Sequence, residues 1–357
     1  MPIKIFDGHN DVVQHLREYR PDGIDFLERS TTGHLDLPRA EAGGMFGGFF
    51  ALGVFAKYNP AEDLTVTETG YEVRMAAPLD PASTRTEISL QLAALRSLEQ
   101  RSLGKIRIAT TVDQIEQARR DGNFAIVLHM EGADPIDPEL HHLSELYRSG
   151  LRSLGLVWSR PNIFGHGVPF AYPRSPDTGP GLTPAGKDLV RECNRLGVMI
   201  DLAHLNERGF WDVAALSTTP LVVTHTCVHA LCPSARNLTD HQLDAIRESN
   251  GIVGMNFSVG DVRPDGQRNS DTPLTLVAQH IAYLVDRLGI DRVAIGSDFD
   301  GATIPAAIGD ASGLPHLIAA LRNQGFDAAA LEKIASANWM RVLRLTLRQS
   351  SSHTQTA

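Results

Sequence analysis

Two short runs carry residues of metal-ligand type at spacings that matter. Asp7-Gly8-His9-Asn10-Asp11 stands near the start, and Asp201-Leu202-Ala203-His204 with Thr224-His225 stands past the middle, each at the tail of an apolar stretch of strand length. Neutral imidazole and carboxylate are the donors that hold zinc-like ions, and a His-x-Asp pair at a strand end points both side chains to the same face. Glu131 and Asp298 add two carboxylates, each just after another apolar run. The pattern predicts a metal site assembled from the ends of several strands.

Such a site needs elements that bring distant residues together. Apolar runs recur at residues 3–6, 45–54, 124–129, 151–158, 198–205, 221–226, 252–257 and 292–297, and several are nearly continuous in Val, Ile, Leu and Gly. Runs of that kind are expected of parallel strands buried on both faces. Between them lie helical segments at 86–103, 111–121, 183–196, 240–249, 274–288 and 328–345, with starts at Thr183-Pro184 and Thr239-Asp240 and a stop at Gly197. Eight strands alternating with helices predict a (β/α)8 barrel, one domain over 1–347, with insertions near 57–85 and 161–182 that would serve as lid or substrate loops. The polar segment 348–357 is expected to fray.

On this strand list His9 and Asp11 follow strand one, Glu131 strand three, His204 strand five, His225 strand six and Asp298 strand eight. In a barrel these carboxyl ends converge on one face, where active sites are built. Three histidines and two acids suffice for two metals if one carboxylate bridges. His34, His141, His142, His241, His280, His316 and His353 have no ligand-like companion and are assigned surface or structural roles. His129 shares the strand face of Glu131 and is a candidate for a supporting or substrate role.

Composition bounds the partners. The 33 Lys and Arg against 42 Asp and Glu leave a net charge of −9 with no basic stripe, which argues against nucleic acid. No apolar run reaches the roughly 18 residues of a membrane span and no leader-like segment precedes residue 3, so a cytoplasmic protein without membrane contact is expected. Cys193, Cys227 and Cys232 are too few for a disulfide framework and are read as reduced. The expected partner is a small molecule.

The combination of Phe6-Asp7-Gly8-His9-Asn10-Asp11, Met130-Glu131-Gly132, Gly197-Val198-Met199-Ile200-Asp201-Leu202-Ala203-His204, Thr224-His225-Thr226, Arg236-Asn237-Leu238-Thr239-Asp240 and Gly296-Ser297-Asp298-Phe299-Asp300-Gly301 resembles the membrane (renal) dipeptidase family of the amidohydrolase superfamily. The resemblance runs from residue 3 to about 345. It implies a binuclear zinc barrel that hydrolyses dipeptides and works as a homodimer. By that resemblance His9 and Asp11 bind one zinc, His204 and His225 the other, and Glu131 bridges both. Arg236 matches the arginine that engages substrate, and Asp298 the acid after strand eight. The chemistry is consistent: paired zinc lowers the pKa of a shared water, a carboxylate can move its proton, and a guanidinium fork suits a terminal carboxylate.

One departure stands out. Mammalian members of the resembled family carry a histidine at the end of strand four that helps hold the scissile carbonyl, and Trp158 stands there in this chain. Trp158 is therefore expected to shape the substrate pocket, with Arg160, Asn162 and His166 as the nearest polar replacements. The leading expectation is a dipeptidase for L-Xaa-L-Xaa or L-Xaa-D-Xaa substrates. An amidohydrolase for a non-dipeptide amide or tailored metabolite is the first alternative, and a barrel that binds metal or ligand without catalysis is the second.

Overall fold

The computed structural model describes residues 3–55 and 60–347. Its centre is a run of eight parallel strands: β1 (Ile5–Asn10), β2 (Met45–Leu52), β3 (Phe124–Glu131), β4 (Leu151–Gly155), β5 (Met199–Asp201), β6 (Val222–Thr226), β7 (Ile252–Met255) and β8 (Val293–Ile295), each paired with the next. The ends meet just beyond β8, where Asp298 N donates to His9 O at 3.0 Å and Asp11 N donates to Phe299 O at 2.8 Å. Asp7 adds a side-chain stitch, accepting from Ser297 N at 2.7 Å and Ser297 Oγ at 2.8 Å. The arrangement is the (β/α)8 barrel that the apolar runs predict.

Burial explains why these runs are so apolar. Along β3, Phe124, Ile126, Leu128 and Met130 join the large cluster shared with the outer helices, whereas Ala125 and Val127 join a second cluster with Phe6, Phe49, Met199, Val222 and Trp339. Period-two alternation thus buries both faces, and it carries His129 and Glu131 onto the inner side above Val127. Trp339, from the helix Asn338–Thr346, reaches into the barrel and donates from Nε1 to Ile295 O at 2.9 Å. A Cβ on Gly8 would lie 2.4 Å from its ring, which is the steric reason for glycine in the Asp-Gly-His motif.

Local signals set the helix ends. Thr183 caps Pro184–Leu196 by accepting from Gly186 N, Gly197 ends it at φ 74°, and Thr239 closes a capping box over Asp240–Glu248. The helix expected from residue 86 begins instead at Pro81, capped by Asp80, and the expected 328–345 helix is interrupted by a π-type stretch at Lys333–Ala337. Helices Leu37–Gly43, His141–Arg148, Glu207–Leu216 and Leu314–Asn323 and the edge strand Ile106–Ile108 were not anticipated.

The two insertions join each other. Leu64–Val66 and Tyr71–Val73 form a hairpin, and Ala171–Tyr172 adds a third antiparallel strand, so parts of 57–85 and 161–182 make one small sheet beside the barrel mouth. Tyr71 and Tyr172 stack at 6.3 Å between ring centroids. The segment 348–357 lies outside the described residues. Among those that are described, no helix is long and apolar enough to cross a membrane.

Candidate active site

His9 lies in β1, Glu131 ends β3 and His225 lies in β6. Asp11 directly follows β1, and His204 and Asp298 each sit three residues past their strands. His204 and Asp298 have φ of 65° and 60°, left-handed backbone that costs non-glycine residues of order 1–3 kcal/mol each. Glu131 stands at the middle. Its Oε1 is 2.9 Å from His204 Nε2 and 3.5 Å from His225 Nε2, while Oε2 is 3.6 Å from His9 Nε2, which is itself 3.6 Å from Asp11 Oδ2. The ligand-type atoms of His9, Asp11 and Glu131, and those of Glu131, His204 and His225, fall in two groups within 4.8 Å, sharing Glu131. His9, His225 and Asp298 form a third such group.

These residues fit a pair of cations. Both ring nitrogens of His9 and Oδ1 of Asp11 are buried without a hydrogen-bond partner among the described residues, a costly state for polar atoms unless something else engages them. Burial alone would lower the pKa of His9, yet the Glu131 and Asp11 carboxylates outweigh it and carry it to about 10. The cluster of acids therefore demands positive charge. Burial pushes Glu131 well above the usual carboxylate range and Asp298 to about 6, the latter opposed by the nearby His9 charge. His204 and His225 are held far below the ordinary histidine range by burial, then by the charges of Arg236 and His9, so they present neutral rings suited to a metal.

Residues behind the ligands hold them in place, and of these only His129 is expected in a supporting role from the sequence. Ser159 Oγ lies 2.7 Å from His204 Nδ1, Thr224 Oγ1 lies 2.9 Å from His225 Nδ1, and Asp201 accepts from Thr224 Oγ1 at 2.6 Å. Asn256 Nδ2 donates to Asp298 Oδ2 at 3.0 Å. His129 is fully buried, with Nδ1 2.8 Å from Ser153 Oγ and its ring edge-on to His9, so it supports the site from below. Asp201 was visible three residues before His204. Its partner Thr224 is 23 residues away and only the fold connects them.

A cavity of about 1380 Å³ opens over this cluster. Arg236 lines it, 6% exposed, with Nη2 3.4 Å from His225 O and no ion-pair partner among the described residues. Trp158 lines it too, its ring 5.9 Å from that of His204 and between Phe55 at 5.6 Å and Phe170 at 5.5 Å. Arg160 and Asn162, expected at the substrate, are not brought there. Arg160 is buried behind the cavity wall, donating to Val54 O, 3.6 Å from Asp134 and 5.0 Å from the Trp158 ring. Asn162 binds Leu156 O and accepts from the Phe164 and Gly165 amides, so its whole side chain is used in shaping a turn. His166 does not line the cavity either.

The family model for membrane dipeptidase, peptidase family M19, matches residues 1–356. The chain belongs to the membrane dipeptidase family. Its activity class is that of a metal-dependent dipeptidase. A solved metallo peptidase from Rhodobacter sphaeroides, liganded with a phosphinate mimic of the dipeptide L-Ala-D-Ala, is 44% identical with a TM-score of 0.93 over 97% of this chain and 100% of its own. An uncharacterized protein in the pqqA 5′ region of Klebsiella pneumoniae is 50% identical over 72% of this chain and 96% of its own length. The dipeptidase tcpJ of Claviceps purpurea is 28% identical over 95% of this chain and 76% of its own.

Proposed function

We propose that this member of the family is a binuclear zinc dipeptidase that cleaves small L-Xaa-L-Xaa or L-Xaa-D-Xaa dipeptides. The observation that carries this reading is the position of Glu131, whose two oxygens face separate ligand groups, His9 with Asp11 on one side and His204 with His225 on the other. The ligand of the Rhodobacter sphaeroides relative, a mimic of L-Ala-D-Ala, supports the stereochemical part. Zinc held by these residues supplies Lewis acidity and makes water a nucleophile near neutral pH.

The chain's own residues do the rest. Asn256 occupies Asp298 Oδ2 and so orients the carboxylate, leaving Oδ1 to take a proton from the attacking water and pass it to the leaving amine. Arg236 is buried beside the cluster with no ion-pair partner among the described residues, a poor state for a guanidinium unless an anion arrives, and a dipeptide brings one in its free carboxylate. Trp158, with Phe55 and Phe170, excludes water from one side and offers an apolar surface to a substrate side chain. Arg160 stiffens that wall from behind. The reading extends to a homodimer in the cytoplasm.

The cavity volume favours one other reading. A space of about 1380 Å³ is larger than the roughly 300–1,000 Å³ of ordinary small-molecule pockets, which leaves room for a larger amide than a dipeptide. A screen of D- and L-dipeptides and their C-terminal amides with zinc-loaded protein separates the two. Turnover confined to free dipeptides supports the dipeptidase, and turnover confined to blocked amides contradicts it.

A further inference from the structure

Asp201 is fully buried behind the ligands and does not line the cavity. Its Oδ1 accepts the Thr224 amide at 2.8 Å and the Ala203 amide at 3.0 Å, and its Oδ2 accepts the Thr224 hydroxyl at 2.6 Å. Three donors converging on one carboxyl group are what an ionised, acceptor-only carboxylate calls for. A hydroxyl has a single proton. Once that proton points at Asp201, the Thr224 oxygen has only lone pairs to offer its other neighbour, His225 Nδ1, at 2.9 Å. The proton in that contact must then sit on the imidazole.

We infer that Asp201, acting through Thr224, is a positioning residue that fixes His225 as its Nδ1–H tautomer with a bare Nε2 turned toward Glu131 and His204, and that this makes the His204–His225 half the tighter of the two metal sites. The inference rests on the metal-centre reading proposed above.

The three histidines differ in how they are backed. His225 has a hydroxyl with a carboxylate behind it, and His204 has the Ser159 hydroxyl at 2.7 Å. His9 has no such backing: among the described residues neither ring nitrogen has a hydrogen-bond partner, and the ring stacks on that of His225 at 3.8 Å. An imidazole whose far nitrogen is engaged is already turned and already in the right tautomer when metal arrives, and it is a more basic ligand because the bond polarises it. His9 must acquire both on binding. The half built on His9 and Asp11 is therefore the one that fills second and empties first.

The test uses the full-length metal-free chain. Zinc binding is followed by competition with a chromophoric chelator, and the wild type is expected to load in two resolved steps. Thr224→Val, which keeps the shape and removes the hydroxyl, should weaken the tighter step by about 10- to 100-fold while the weaker step changes little, and Thr224→Ser should restore most of the loss. Histidine ¹⁵N spectra of the metal-free wild type need no variant and read the tautomer directly, with His225 expected as Nδ1–H. An Nε2–H tautomer at His225, or unchanged zinc affinity in a folded Thr224→Val protein, overturns the role of Asp201 and leaves the metal centre standing. A wild type that binds no zinc overturns the metal-centre reading itself.

Discussion

The ligand face at the carboxyl ends of the strands and the wall raised beside it by the two insertions border the same cavity but are held by different means. On the ligand face, buried side chains bind neighbouring strands: Asp7 to Ser297, Asp201 to Thr224, Ser159 to His204, Asn256 to Asp298. In the wall, strands of two and three residues pair edge to edge, Val66 is 74% exposed, and the tyrosine stack and the bond from Tyr172 to Pro264 O carry much of the contact. Chemistry needs donors fixed to within fractions of an ångström, and the barrel supplies that rigidity. The wall needs only to present a surface, so it can be replaced with less consequence for the reaction than for the choice of substrate.

The largest effect short of losing the metals should come from Asp298, on the rigid side. Asp298→Asn is expected to keep metal content and melting temperature while kcat falls by about 10²-fold or more. The pH profile sharpens this. Burial raises the Asp298 carboxyl to about 6, and the ionised form is the one that accepts a proton, so wild-type activity should rise with pH through that region and fall away below it. Bound cations shift that limb downward and leave its sign unchanged. The Asn variant should lack the limb, and near-normal turnover in it would remove the proton-transfer role.

Arg236 stands where the two regions meet. Arg236→Met should weaken kcat/KM for free dipeptides by about 2 to 4 kcal/mol and do much less to C-terminally amidated substrates, measured side by side. Equal harm to both would assign the guanidinium to the oxyanion or the fold instead. On the wall, Trp158→Ala should raise KM for substrates with bulky apolar side chains by about 10-fold with a smaller change in kcat, the scale of a reshaped hydrophobic pocket. A loss confined to kcat would move Trp158 into the chemistry. The smallest effect is expected from Tyr172→Phe, which deletes one partly exposed hydrogen bond: about 1 kcal/mol or less of stability, read as a shift in thermal midpoint of a few degrees at most, with kcat unchanged.

The same contrast explains what could be read from the sequence. All eight barrel strands were legible because strands covered on both faces must be apolar almost throughout. Their ends were not. The first run was expected to stop at Phe6, but β1 continues to Asn10, since Asp7 and His9 are polar residues doing their work inside the strand. The fifth was expected to reach 205 but ends at Asp201, because the chain turns left-handed at His204 while remaining apolar at Leu202, Ala203 and Leu205. The metal-ligand candidates were legible through their placement after strands, which the barrel converts into proximity. Arg160 and Asn162 were singled out by nearness to Trp158 along the chain, and neighbouring backbone carbonyls claim both. The wall's two insertions were legible as loops, but their pairing into one sheet was not, since its strands are too short to show a period, and Asp201 and Thr224 became partners only when β5 and β6 were laid side by side.

The central claim is that Glu131 joins two metal sites, and metal analysis of Glu131→Gln beside the wild type tests it most directly. Zinc-loaded wild type should hold about two ions per chain, and the variant, folded by circular dichroism, should hold at most one firmly and lose dipeptidase activity. Two tightly held ions in the Gln variant would contradict the bridge, and with it the reading of this cluster as one binuclear centre.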